Sequence, residues 1–350
     1  MKHSSKVGFA VVGLGNIAQT AVLPAFHRSR RGRVVALVSG DRKKAKRLAR
    51  QFGAGSSYDY EEYASCLADP NVKAVYIATP QGQHEPFAVQ AAGAGKHVLC
   101  EKPLAATVEQ ARRMIAACRE RGVLLMTAYR KFFEPSTVYL KELIRDQALG
   151  RIDVIHTAFS ELNGTATSPA WLRSATLAGG GPLMDLGVYC VNTSRWLVDE
   201  DPFEVSAQAW RHDTSRFREV EEGVAFRLSF ASGLVVQGSS TYSSAMSSFL
   251  NVQGSKGWAL LAPAFTFEHP RRLIGNSCGR SIQRTFKIVD EFAPQLDAFA
   301  TAIQTGSAVE ADGTQGLRDL CIIAAIYEAA RTQTTVRVKY DHSEKSATVS

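Results

Sequence analysis

Short apolar runs and helical stretches alternate over the first 130 residues. Val7–Val12, Val34–Val38, Lys73–Ala78, His97–Cys100 and Val123–Ala128 are five apolar, β-branched-rich runs of strand length. A clear helix lies between the last two. Thr107 and Gln110 have capping-box spacing, Val108, Ala111, Ile115 and Cys118 follow at helical intervals, and Gly122 can close the element. Strands alternating with helices predict a parallel, doubly wound sheet.

Beyond residue 150 the period changes. Arg151–Ser160, Phe203–Arg211, Gly223–Ala231, Leu234–Thr241, Ser248–Gln253 and Trp258–Leu261 read as strands. Ser232-Gly233 and Gly254–Gly257 give hairpin signals between neighbours. An antiparallel-rich sheet follows, interrupted by a helix over Pro182–Val198 and followed by helices over Gln295–Thr305 and Thr314–Arg331. The polar tail after Val338 is expected to fray. The fold class is therefore α/β, with residues 1–130 as the doubly wound domain and 131–350 as a second domain.

Composition narrows the function. The chain of 350 residues is 45% hydrophobic and 21% charged, the mix of a globular protein, and is long enough for two cores. No apolar run reaches membrane-spanning length, and Met1–Lys6 lacks the apolar stretch of a secretory signal. The six cysteines form no C-x-x-C pair and read as reduced, intracellular thiols, so a cytoplasmic protein is expected. The eight histidines show no ligand spacing, so no metal is expected. The net charge of +8 would admit nucleic acid, but the densest basic cluster, Arg42-Lys43-Lys44 with Lys46-Arg47, has a better explanation.

That explanation is a dinucleotide. Gly13-Leu14-Gly15-Asn16-Ile17-Ala18 is a G-x-G-x-x-A turn between the first strand and a helical stretch. Such glycines let a pyrophosphate approach the backbone, and helix N–H groups meet its charge. The second strand ends in Ser39-Gly40-Asp41-Arg42-Lys43, with no acid in first place to bond a ribose 2′-hydroxyl. Cations in a first helical turn oppose the helix dipole, and a bound 2′-phosphate turns that repulsion into attraction. Ser39, Arg42 and Lys43 therefore point to NADP, with Asp41 either an N-cap or a ribose ligand.

Ligands of a doubly wound sheet bind outside the carboxyl ends of its strands. The polar residues delivered there are Thr79-Pro80, Glu101-Lys102-Pro103 and Tyr129-Arg130. Lys102 is the candidate cation for chemistry. A second constellation is Gly179-Gly180-Gly181-Pro182-Leu183-Met184-Asp185-Leu186-Gly187-Val188-Tyr189, where Asp185 and Tyr189 are four apart and share a helix face. An acid and a phenol on one face suit proton transfer, or equally a phenol whose hydroxyl is merely satisfied by a carboxylate.

Taken together, the G-x-G-x-x-A turn, Glu101-Lys102-Pro103, Tyr129-Arg130 and GGGPLMDLGVY resemble the Gfo/Idh/MocA oxidoreductase family, with the glucose–fructose oxidoreductase branch most similar. Stretches such as VSGDRKKAK and KHVLCEKPLA extend the resemblance over about residues 7–338. It implies a Rossmann domain, a C-terminal α/β domain on a large open sheet, and a homodimer or homotetramer. It implies that Lys102 lies between nicotinamide and substrate with its bond to Pro103 cis, and that Asp185 and Tyr189 flank a sugar. Arg130, Trp171 and Arg173 are implied near cofactor or substrate. Tyr189 stands where many members carry histidine, which favours a pyranose or related carbohydrate. Gln81 replaces a frequent asparagine, while His84 stands at the expected place. Six residues before the first strand leave no cofactor-trapping arm, so a dehydrogenase that releases NADP is expected over a self-coupled sugar oxidoreductase. A catalytically silent NADP-binding regulator is the reading from another class.

Overall fold

The computed structural model describes residues 6–163 and 168–340. Six strands, β1 (Val7–Val12), β2 (Gly32–Val38), β3 (Ser56–Tyr58), β4 (Ala74–Ile77), β5 (His97–Cys100) and β6 (Leu125–Thr127), form one sheet in the order β3-β2-β1-β4-β5-β6. Every neighbouring pair in it is parallel. This is the doubly wound order that reverses direction between β1 and β4. Strands β1 and β4 are wholly buried, which is why they read as continuous apolar runs. The connections carry helices α1 (Leu23–Arg28), α2 (Arg42–Phe52), α3 (Tyr63–Ala68), α4 (His84–Gly93) and α5 (Val108–Glu120). Thr107 caps α5 by accepting from the Gln110 amide, but Gln110 reaches back to the Ala106 amide rather than closing a reciprocal box.

After α6 (Pro135–Arg145) come β7 (Ile152–Ser160), α7 (Ala175–Ala178), α8 (Val188–Val198), β8 (Glu204–Trp210), β9 (Gly223–Ser229), β10 (Val235–Thr241), β11 (Ser247–Gly254), β12 (Gly257–Ala262), β13 (Arg271–Ser277) and β14 (Arg280–Phe286). Two long helices, α9 (Phe292–Thr305) and α10 (Gly313–Thr332), and a short β15 (Val336–Arg337) end the order. The second sheet has nine strands in the order β14-β13-β12-β11-β7-β10-β9-β8-β15, and only β7 and β10 are parallel neighbours. The hairpin β13–β14 was not expected from the sequence. Its strands carry four arginines and few alternating apolar positions, and its turn uses Cys278 and Gly279, both with positive φ.

Alternation gives this sheet two different faces. Leu250, Val252, Ala259, Leu261 and Leu273 are buried on one. The other, which runs through Ile274, Leu260, Asn251, His156, Gln237 and Arg227 in register, is left part-exposed, and Trp258 on it is 41% exposed.

The chain divides into two compact units. The first comprises residues up to Phe133 together with Asp290–Leu317, and the second comprises Glu134–Val289 together with the residues from Arg318 on. The return of Asp290–Leu317 to the first unit is a feature that a single cut after residue 130 does not contain. Its anchor is Asp297 of α9, which accepts from the Ser29 hydroxyl at 2.6 Å and the Arg31 amide at 2.9 Å. In the second unit Val338 donates its amide to the Phe203 carbonyl and Tyr340 its hydroxyl to Pro202, so those residues are tied down. The expected frayed end then falls on 341–350, outside the described residues. No helix among the described residues is long and apolar enough to cross a membrane.

Candidate active site

In the first unit the strand ends form a cradle. Gly13 has φ +88°, and a side chain there would lie 2.6 Å from the Ala78 carbonyl, so only glycine lets β1 turn against β4. Gly15 and Asn16 are exposed, Ile17 is half-buried, and nothing lies within 4 Å of a Cβ built on Gly15. That open space over a backbone turn suits a pyrophosphate. The helical stretch begins with a wide i→i+5 turn, Ala18–Val22, before α1.

Ser39 is buried at the end of β2, where its hydroxyl oxygen accepts from the Asp41 amide at 3.2 Å. Asp41 is the N-cap of α2, accepting from the Lys44 amide at 2.9 Å. Gly40 is exposed, beside the Tyr60 ring. Arg42 is held by two acids, Asp59 at 2.5 Å and Glu62 at 2.9 Å, so less free positive charge stands here than the sequence alone suggests. Lys43, next in sequence, is exposed. The local chemistry fits a phosphate-bearing ribose, supported by one engaged arginine, one exposed lysine and a serine.

At the next strand end Thr79 is buried, and its hydroxyl finds no hydrogen-bond partner among the described residues; nor does Oε1 of buried Gln81. Such orphaned groups in a cradle fit a bound polar ligand. Pro80 is half-buried between them. His84 is buried with Nε2 2.8 Å from the Thr79 carbonyl and Nδ1 3.1 Å from the Leu104 carbonyl, so its ring links two strand-end loops. Burial holds its pKa below the ordinary histidine value. Glu101 accepts from the Tyr76 hydroxyl at 2.7 Å and from the Lys102 amide at 3.2 Å, and desolvation lifts its pKa against these bonds. Lys102 follows β5, half-buried, and its bond to Pro103 is cis. Arg130 is buried and paired with buried Glu291.

In the second unit the glycine run ends in another wide turn, Leu183–Gly187, continuous with α8. Such i→i+5 turns concentrate at functional sites. Asp185 and Tyr189 are its two half-exposed residues in an otherwise buried stretch. Tyr189 packs edge-on to Phe159 and stacks on Phe265, with centroids 5.7 and 5.8 Å apart. Asp185 accepts from the Tyr242 hydroxyl at 3.0 Å. Tyr242 is buried, and burial together with the Asp185 charge keeps its phenol protonated as the donor. Sequence reasoning did not single out Tyr242, which lies 57 residues from its partner. Trp171 and Arg173 sit on a short 3-10 turn, Ala170–Arg173, both half-buried, and Nη1 of Arg173 has no partner among the described residues. A cavity of about 560 Å³ is lined in part by Gly180 of this turn, with Trp210, Glu221 and Tyr327. Among the described residues no His, Cys, Asp or Glu cluster could hold a metal ion.

Residues 7–129 match the NAD-binding Rossmann domain of the Gfo/Idh/MocA oxidoreductase family, and residues 137–260 match a Gfo/Idh/MocA C-terminal domain. An NADP-dependent D-xylose 1-dehydrogenase of Haloarcula marismortui is 33% identical over 95% of this chain and 93% of its own. The crystal structure of an aldose–aldose oxidoreductase from Caulobacter crescentus, complexed with glycerol, superposes with a TM-score of 0.90 at 38% identity, covering 95% of this chain and 99% of that one. A 3-ketoreductase from Actinomadura kijaniata, in complex with NADP and TDP-benzene, gives 0.83 at 27% identity over 93% of this chain and 98% of its own.

Proposed function

The chain belongs to the Gfo/Idh/MocA oxidoreductase family, and on that basis we propose that it is an NADP-dependent dehydrogenase of aldoses, with Lys102, Asp185 and Tyr189 as its reacting set. NADP, when bound, supplies the hydride acceptor. The protein's own part is to move one proton and hold the sugar. As hydride leaves the sugar carbon, the proton of its hydroxyl goes to Tyr189; in reduction Tyr189 returns it. Lys102 holds the reacting oxygen and supplies positive charge. Asp185 accepts from a neighbouring sugar hydroxyl. The observation that carries this reading is the half-exposed Asp185–Tyr189 face, fixed by Tyr242, Phe159 and Phe265. An absorbance assay of NADP reduction across aldoses tests it, and no turnover with intact NADP binding points instead to a silent regulator.

For the cofactor, Gly13, Gly15, Asn16 and Ile17 take the pyrophosphate, and Ser39, Gly40, Arg42 and Lys43 take the 2′-phosphate. Thr79, Pro80, His84 and Glu101 line the path to nicotinamide, with Arg130, Trp171 and Arg173 near cofactor or sugar. Replacing Arg42 and Lys43 together by alanine is expected to raise the Kd for NADP about tenfold or more while that for NAD changes little, because charge-assisted bonds are worth about 1.5–3 kcal/mol each. An unchanged NADP-to-NAD preference removes these two residues from the site.

A second reading has a specific observation in its favour: the likeness to an aldose–aldose oxidoreductase. In that reading one sugar is oxidised and another reduced on a cofactor that never leaves. Reduced-nicotinamide absorbance that stays with the protein through gel filtration selects it, and loss of that absorbance selects the releasing dehydrogenase.

The protein is further proposed to be a cytoplasmic homo-oligomer. None of the six cysteines is in a disulfide, as suits a reducing compartment. The part-exposed sheet face with Trp258, Phe249, Leu260 and Ile274 offers a self-complementary surface across a two-fold axis. Light scattering at micromolar concentration is expected to give a dimer or tetramer, and Trp258→Glu to shift it toward monomer. A monomer for the unaltered protein ends this assignment.

A further inference from the structure

We propose that Glu221 and Tyr327 are positioning residues for the Asp185–Tyr189 face, forming a buried carboxylate–phenol brace under the glycine turn from which that helix starts. This rests on the reading of Asp185 and Tyr189 as the sugar-facing pair.

The turn has few backbone donors, and one carboxylate takes them. Oε2 of Glu221 accepts from the Gly181 amide at 3.0 Å, and Oε1 accepts from the Leu183 amide at 3.0 Å. Pro182, between them, has no N–H to give. Every amide donor from Gly181 to Leu183 therefore ends on Glu221. Oε1 also accepts from the Tyr327 hydroxyl at 3.0 Å, on α10. The geometry passes directly to the reacting residue. Gly181, fixed by Glu221, offers its carbonyl to the amides of Met184 at 3.1 Å and Asp185 at 3.4 Å.

The brace also accounts for the glycines. A Cβ on Gly180 would lie 2.0 Å from the Tyr327 hydroxyl, and one on Gly181 would lie 2.3 Å from the Glu221 carbonyl oxygen. Any side chain at either place would push the turn off its support. The charges are consistent with the bond directions. Burial raises the Glu221 carboxyl, while the two amides and the Tyr327 hydroxyl favour its ionised form; burial and that carboxylate keep the Tyr327 phenol protonated. A carboxylate with three donors is satisfied, and removing one donor or its charge loosens the turn that carries Asp185. The brace thus acts on sugar turnover, through Asp185, without touching NADP.

The test uses the full-length enzyme with Tyr327→Phe and Glu221→Gln, assayed for kcat and KM on its best aldose and for NADP Kd by nicotinamide fluorescence. A displaced reacting group costs rate steeply, so Tyr327→Phe is expected to lower kcat/KM about tenfold and Glu221→Gln about a hundredfold, with NADP Kd within about twofold. In an Asp185→Asn background the Tyr327→Phe loss is expected to shrink below about twofold, because both act through one residue. Unchanged kcat/KM with only a lowered melting temperature, or losses that simply multiply in the double variant, overturns the brace. If Glu221→Gln does not fold, Tyr327→Phe decides alone. If Asp185→Asn and Tyr189→Phe themselves leave kcat/KM unchanged, the site reading falls and the brace with it; if they lower it and Tyr327→Phe does not, only the brace falls.

Discussion

Tyr189→Phe is expected to lower kcat on the best aldose by about 10²–10⁴-fold while NADP binding stays unchanged, the range general acid–base catalysis contributes. The substitution removes one oxygen and keeps the ring, so the packing against Phe159 and Phe265 survives and the loss reports chemistry rather than folding. In the proposed oxidation the phenolate oxygen takes the sugar proton, and in reduction the phenol returns it. The rival arrangement makes Lys102 the base and leaves Tyr189 to position the sugar. Stopped-flow or steady-state kcat for Tyr189→Phe separates the two. A variant that keeps more than about a third of the parent kcat gives the proton role to Lys102.

The parts of the proposed site that lie in one stretch of sequence carry local signals, and the parts that folding brings together do not. The glycine turn after β1, Lys102 after β5 and the Asp185–Tyr189 spacing are each local, so strand runs and helical period locate them. His97–Cys100 was expected and found with the same bounds, because a four-residue apolar run between turn signals admits little else. Tyr242, Glu221 and Tyr327 carry no local signal, since their partners stand 57, 40 and 106 residues away. Arg42 shows the converse. Its neighbours in sequence are cations, but folding brings Asp59 and Glu62 against it and offsets part of the charge that the local pattern advertises. The hairpin β13–β14 escaped because its alternation is written in arginine, serine and glutamine, which pattern reading treats as loop. The cis bond at Pro103 came from family resemblance, with no trace in composition or period.

Asp319→Ala is expected to destabilise the second unit by about 3–5 kcal/mol, a melting temperature lower by roughly 6–20 °C at the usual conversion for domains of this size. Arg195 of α8 is 4% exposed, with its guanidinium paired to Asp319 of α10 and to Asp201. Asp319 is fully buried and also accepts from the Asn192 amide group at 2.8 Å. Two successive turns of α8 thus end on one carboxylate. Removing it takes the fully buried carboxylate from a buried cation, which costs far more than the pair itself contributes. Asn192→Ala removes a neutral partner of the same carboxylate and is expected to cost only about 1–2 kcal/mol. The comparison isolates charge burial from packing, because both changes empty a small volume at the same place. Calorimetric melting of the two variants reads it directly. An Asp319→Ala protein no less stable than Asn192→Ala shows that Asp201 alone carries Arg195, and that the α8–α10 junction is held by its apolar contacts.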